Sequence, residues 1–154
     1  MSKIDNETEF RQALAALDFA QQREVGARFV ENVLALNTDE RIRNAVLVTS
    51  NPNASAGEIE FSLKATKRVV LEKYTNCGAD CDWNEQAACF VARAAAACLS
   101  PPMHGRGKGP ALQAAVNCRM ARTCASIEAE EESSLTDESD QQYRILSEYL
   151  ESRT

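Results

Sequence analysis

Four stretches carry the residue types able to bind a metal, hold an anion or move a proton. Cys77 and Cys81 flank Gly-Ala-Asp in a turn-rich stretch, and the single histidine, His104, lies in a second loop. Cys-x-x-x-Cys can hold a metal or close a small disulfide, with His104 available as a third ligand. One pair at this spacing is equally what two loop thiols near a helix start would look like. The run His104-Gly105-Arg106-Gly107-Lys108-Gly109-Pro110 sets Arg106 and Lys108 ahead of a helix N-terminus, where backbone N–H groups favour anions. It lacks the phosphate-loop pattern: no Gly stands five residues before Gly107, and Gly109 follows Lys108 where Ser or Thr is required. A basic surface loop is the plainer reading. The sequence places no nucleophile or carboxylate beside His104, so a catalytic role has no positive feature behind it. The fourth stretch, Glu128 to Asp140, holds seven carboxylates and no Lys or Arg. Such a run is commonly a solvated face. Its sharper reading is a patch, tested first at Glu130, Glu131, Glu132, Asp137 and Glu138, that steers a basic protein partner into place.

These stretches hang on a chain of 154 residues, enough for one domain with a core of its own. Hydrophobic residues make up 44% but aromatics only 6%, so the core must be built of Ala, Val, Leu and Cys, a composition that favours helix over sheet. No window supplies the roughly 20 apolar residues of a membrane span. The polar, acidic start, MSKIDNETEF, does not read as a signal peptide, which makes a cytoplasmic location the expectation. A net charge of −6 speaks against a general nucleic-acid binder and fits a soluble protein or one with a basic partner. Of the six cysteines, Cys89, Cys98, Cys118 and Cys124 fall inside helical segments and read as small buried hydrophobes rather than a disulfide framework. On their own helices Cys89 faces away from Cys98, and Cys118 lies about 120° from Cys124, so no convergence of thiols is expected.

The pattern predicts seven helices and no strand, as a single-domain all-α bundle or a short stack of antiparallel helix pairs. Residues 1–7 read as a flexible lead-in. A first helix covers Thr8 to Leu17. Asp18 caps a second, with Gln21 completing a capping box, and it runs to about Leu36 on Val25, Phe29 and Val33. Thr38 caps a third, with Ile42, Ala45, Val46 and Thr49 inward, and Asn51-Pro52-Asn53 stops it. Ser55 and Glu58 open a fourth, to about Tyr74, with Ile59, Leu63, Thr66 and Val70 on one face. Asp82 and Glu85 cap the fifth, whose face holds Trp83, Ala87, Phe90, Val91, Ala94 and Cys98. Pro110 begins the sixth. On that helix Ala111, Ala114, Ala115, Cys118, Ala121 and Ala125 form a small face, opposite Leu112, Val116, Met120, Thr123 and Ile127. A small face on one neighbour and a bulky face on another would put this helix in the middle of the bundle. Residues 128–136 form an acidic linker, and a last helix from Asp137 to Glu151 offers Ile145, Leu146, Tyr149 and Leu150.

Several of these pieces resemble the small helical immunity proteins of bacterial polymorphic toxin systems. The resemblance is carried by Asp39-Glu40-Arg41-Ile42-Arg43-Asn44-Ala45-Val46, Gly57-Glu58, the alanine-rich run from Val91 to Leu99, the loop histidine, and Gly109-Pro110-Ala111 with the small-faced helix after it. It covers about residues 10–127. The chain departs from the pattern at Ile42, where a proline is usual, ahead of Gly57, where an aromatic is missing, and in its single loop histidine. The resemblance implies a helical, non-enzymatic protein that binds and neutralises a cognate toxin; joined to the acidic run, the expectation is that it needs no cofactor and covers the basic active-site cleft of a toxin or effector. The alternative class is a thiol-based metal or redox protein using Cys77 and Cys81. Metal analysis of protein purified without added metal, with a thiol titration, separates the two. Six free thiols and no bound metal are the expected result; stoichiometric metal lost on Cys81→Ser would select the second class.

Overall fold

The computed structural model describes residues 3–76, 82–101, 109–130 and 134–153. Among them the chain forms helices α1 (Glu7–Ala15), α2 (Phe19–Asn32), α3 (Glu40–Ser50), α4 (Ala56–Asn76), α5 (Trp83–Leu99), α6 (Pro110–Ala129) and α7 (Ser134–Ser152), with a 3-10 turn at Leu34–Leu36. The described residues contain no strand, so the all-α expectation holds. No helix is long and apolar enough to cross a membrane among these residues.

Local signals set most helix starts. The Asp18 carboxylate accepts the Gln21 N–H while the Gln21 side chain accepts the Asp18 N–H, a complete capping box. Ser55 Oγ accepts the Glu58 N–H, Asp82 accepts from Asn84 and Glu85, and Pro110 opens α6. At α3 the cap is Asp39 rather than Thr38: its carboxylate accepts the Arg41 N–H at 2.9 Å, and Thr38 is exposed. The predicted second helix also stops early. The Asn32 carbonyl takes a hydrogen bond from Arg122 Nη2 at 3.2 Å, and the Leu36 N–H turns to Val33 O, which tightens the last turn into 3-10 geometry. Nor is the lead-in loose throughout. Ile4 is buried, and its N–H donates to Ser147 Oγ on α7 at 3.0 Å.

Packing centres on α5 and α6, the most extensive helix–helix contact among the described residues. The predicted small face of α6 is the buried one: Ala111, Ala114, Ala115, Cys118 and Ala121 are essentially fully buried. The position in the middle, however, belongs to α5. It packs against α2, α3, α4 and α6, and it is buried on nearly every side, at Ala88, Cys89, Ala92 and Ala95 as well as Ala87, Val91, Ala94 and Cys98. A helix apolar all round belongs in a core, whereas one with a bulky row opposite a small row can lie against the core on the small row alone. Trp83, placed on the inward face by its spacing, is 39% exposed at the first turn.

Gly26 is where α2 enters this seam. A Cβ there would stand 2.8 Å from Cys98 Sγ, closer than carbon and sulfur can approach, and 3.6 Å from the Ala111 Cα. Gly26→Ala is therefore expected to cost about 1–3 kcal/mol through overpacking, despite alanine's better helix propensity. Removing the sulfur with Cys98→Ala in the same chain should recover most of that loss. Urea unfolding of the two single variants and the double variant measures both effects.

Candidate interaction surface

The bulky row of α6 reaches solvent. Val116, Met120 and Ile127 are 40%, 42% and 44% exposed, while Leu112 and Thr123 are partly buried. From Leu112 to Ile127 the row extends about 22 Å at the rise of an α-helix, and no described element covers it. This corrects the expectation that the row would fill a second core. Burial of the opposite row is enough to fix the helix, so the outer row stays free.

Where the row ends, α6 terminates on Glu130, whose backbone is left-handed (φ 58°, ψ 36°) and whose N–H reaches Ile127 O and Ser126 O. Glycine or asparagine is the usual residue in this conformation; a glutamate there carries a cost of about 1 kcal/mol. Glu128 and Glu130 also sit at the negative end of the helix dipole, where carboxylates are disfavoured. Asp137 is exposed in the first turn of α7.

Glu138 is not part of that surface. Its side chain is fully buried, accepting from Arg122 Nε at 3.1 Å and from Asn32 Nδ2 at 3.1 Å. Asn32 Nδ2 also donates to Gln141 Oε1 at 2.7 Å. An acidic residue inside an acidic run reads as surface, but here the guanidinium of Arg122 draws it inward. Of the remaining expected site residues, Cys77, Cys81, His104, Arg106, Lys108, Glu131 and Glu132 lie outside the described residues.

A second polar set, beside Glu138, holds the first and last helices against α6. Gln142 is fully buried; its Oε1 accepts from Arg119 Nε at 2.8 Å and its Nε2 donates to the Ala115 carbonyl at 3.0 Å. Arg119 then forks onto both oxygens of Glu7, at 3.0 and 3.1 Å, with its guanidinium over the Phe10 ring. Arg11 and the Tyr143 hydroxyl also donate to Glu7. Burial works against the charge on Glu7, but the bonds from Arg119, Arg11 and Tyr143 outweigh it and hold the carboxyl below its ordinary value.

The described thiols, Cys89, Cys98, Cys118 and Cys124, are free and buried. Beside burial, Cys98 adds to the upward push on Cys118, and Cys89 to that on Cys124. Burial pushes the Cys98 thiol up to about 12 and Cys118 well above its ordinary value, so neither is a nucleophile at neutral pH. No group of three or more His, Cys, Asp or Glu side chains is arranged to hold a metal ion among the described residues.

Comparison with known proteins finds no matching family model, no similar curated protein and no similar solved structure.

The Glu7 bridge gives a pH signature. Because the folded carboxyl titrates below its ordinary value of 4.5, its contribution is complete above that value and is lost as pH falls through the lower folded value. Thermal midpoints recorded from pH 6 down to pH 2 should fall less steeply in Glu7→Gln than in the parent chain. Parallel curves would show that the bridge adds nothing.

Proposed function

We propose that this chain is a non-enzymatic interaction protein whose partner seats on the outer row of α6 and on the acidic end of that helix. The observation that carries the reading is the coincidence of three costs in one place. An apolar row is left in water, a glutamate is held in a left-handed backbone, and carboxylates are set at the wrong end of a helix dipole. Local rules are broken together where a surface serves something other than its own fold. Apolar anchors beside charged residues match the layout of an interface, in which a few central side chains supply affinity and a polar rim supplies steering.

Carboxylates on this rim select a basic partner. The resemblance to immunity proteins narrows that partner to a toxin or effector domain, neutralised when Val116, Met120 and Ile127 close over its cleft while Glu128, Glu130 and Asp137 meet its cationic edge. The buried thiols and the single loop histidine add no reason to prefer turnover over holding.

Capture from the native host followed by titration of the recovered protein tests the reading. One basic protein should bind stoichiometrically and more weakly as salt rises. Met120→Asp with Ile127→Asp, and separately Glu128→Lys with Glu130→Lys, should each weaken it at least tenfold, while Lys67→Glu on α4 leaves it unchanged. Binding indifferent to both double variants would refute the proposed face.

A further inference from the structure

A cleft of about 170 Å³ opens at the far end of α5, between the start of α2, the end of α3 and the start of α4. Its walls are mostly apolar, with Phe19, Val48, Pro52, Ile59 and Leu99 among the lining residues, and Arg23 is the one cation among the described residues that line it. That guanidinium is fixed in place before anything binds. Its Nη2 donates to the carbonyls of Leu99 and Ser100 at 3.1 Å each, and its Cζ lies 4.6 Å from the centre of the Phe19 ring.

Arg23 is also incompletely satisfied. Among the described residues it forms no ion pair with any carboxylate, and its buried Nε–H has no hydrogen-bond partner. An arginine cannot discharge itself by losing a proton, so a half-buried guanidinium without an acid retains a demand for an anion. Glu24 lines the same cleft but does not meet it. Its carboxylate accepts from the Tyr149 hydroxyl at 2.6 Å and lies 3.6 Å from Arg153.

We infer that this cleft binds a small monocarboxylate with a compact apolar tail, the carboxylate against Arg23 and the tail between Ile59, Val48 and Leu99. Size decides against larger ligands. A cavity of about 150 Å³ accepts a benzene ring, so this one holds a ring or a short branched chain but not the end of a peptide with its backbone. The described lining offers one cation, Arg23, and a carboxylate, Glu24, already engaged elsewhere, which selects against dianions, since a second negative group would have no cation to meet.

Benzoate and its neutral isostere benzamide provide the test, by amide-shift titration of the full chain. Benzoate should produce saturable shifts clustered at Arg23, Val48, Ile59 and Leu99 with a dissociation constant of about 1 mM, the range expected of a ligand this small. Benzamide should bind at least tenfold more weakly. Arg23→Gln should weaken benzoate at least tenfold; since Arg23 also holds the end of α5, Ala54→Trp, which plugs the cleft and leaves that contact alone, serves as the second variant and should abolish binding. Equal affinity for benzamide, unchanged binding in Ala54→Trp, or no saturable shift at the cleft would each overturn the inference.

Discussion

Close approach of α5 and α6 through alanine sets the spacing of everything else. Alanine on both sides lets two backbones lie near enough for main-chain atoms to share dispersion contacts, and it loses no side-chain rotamers on folding. A seam of this kind has no long side chains to adjust. Its tolerance is set by single methyl groups and by the small buried thiols among them. α2 meets the same limit at Gly26, where the absence of a Cβ leaves room for the Cys98 sulfur. Larger residues then fill the margins, with Phe10, Phe29, Ile42, Leu99, Leu146 and Tyr149 closing the core around the slim centre.

A seam of methyl groups packs tightly but discriminates poorly between registers, because one alanine resembles the next. Polar pairs supply what it lacks. Slipping α7 along α6 would separate Glu138 from Arg122 and Gln142 from the Ala115 carbonyl, breaking both buried contacts. A buried carboxylate deprived of its cation costs about 3–5 kcal/mol, far more than the pair contributes over an apolar substitute. The same side of α6 receives the N-terminal segment through Arg119 and Glu7. Two arginines one turn apart, the only cations on α6, thus fix the placement of both ends of the chain.

Helix order and most caps were legible in the sequence because they depend on residues within one turn of each other, as Asp18 with Gln21, Ser55 with Glu58, and Asp82 with Glu85. Legibility ended where distant residues decide. Asp39 displaced Thr38 as a cap with Arg41 braced between its carboxylate and that of Glu72, 31 positions further on. Glu138 read as surface because its neighbours in sequence are acidic, while its actual partners are Arg122 and Asn32, the latter 106 positions away. A signal was present all the same. The stripe through Tyr149 and Leu146, continued backward at steps of four, lands on Gln142 and then Glu138, and Arg119 and Arg122 are the only charges within a long alanine segment. Which face of α6 would be left uncovered was not legible, since periodicity shows that a helix has two unlike rows but not how many neighbours the fold supplies. Arg23 gave no signal at all, its role resting on carbonyls 76 and 77 positions along the chain.

Dividing α6 lengthwise into an inner row of alanines and Cys118 with little room to grow and an outer row that reaches solvent gives the two rows different evolutionary lives. The inner row is frozen, as enlarging any of its residues would push the bundle apart. Along the outer row, identities can drift in size, shape and polarity at small cost to stability. A lineage built on this scaffold can therefore change what it recognises quickly, without having to rediscover how to fold.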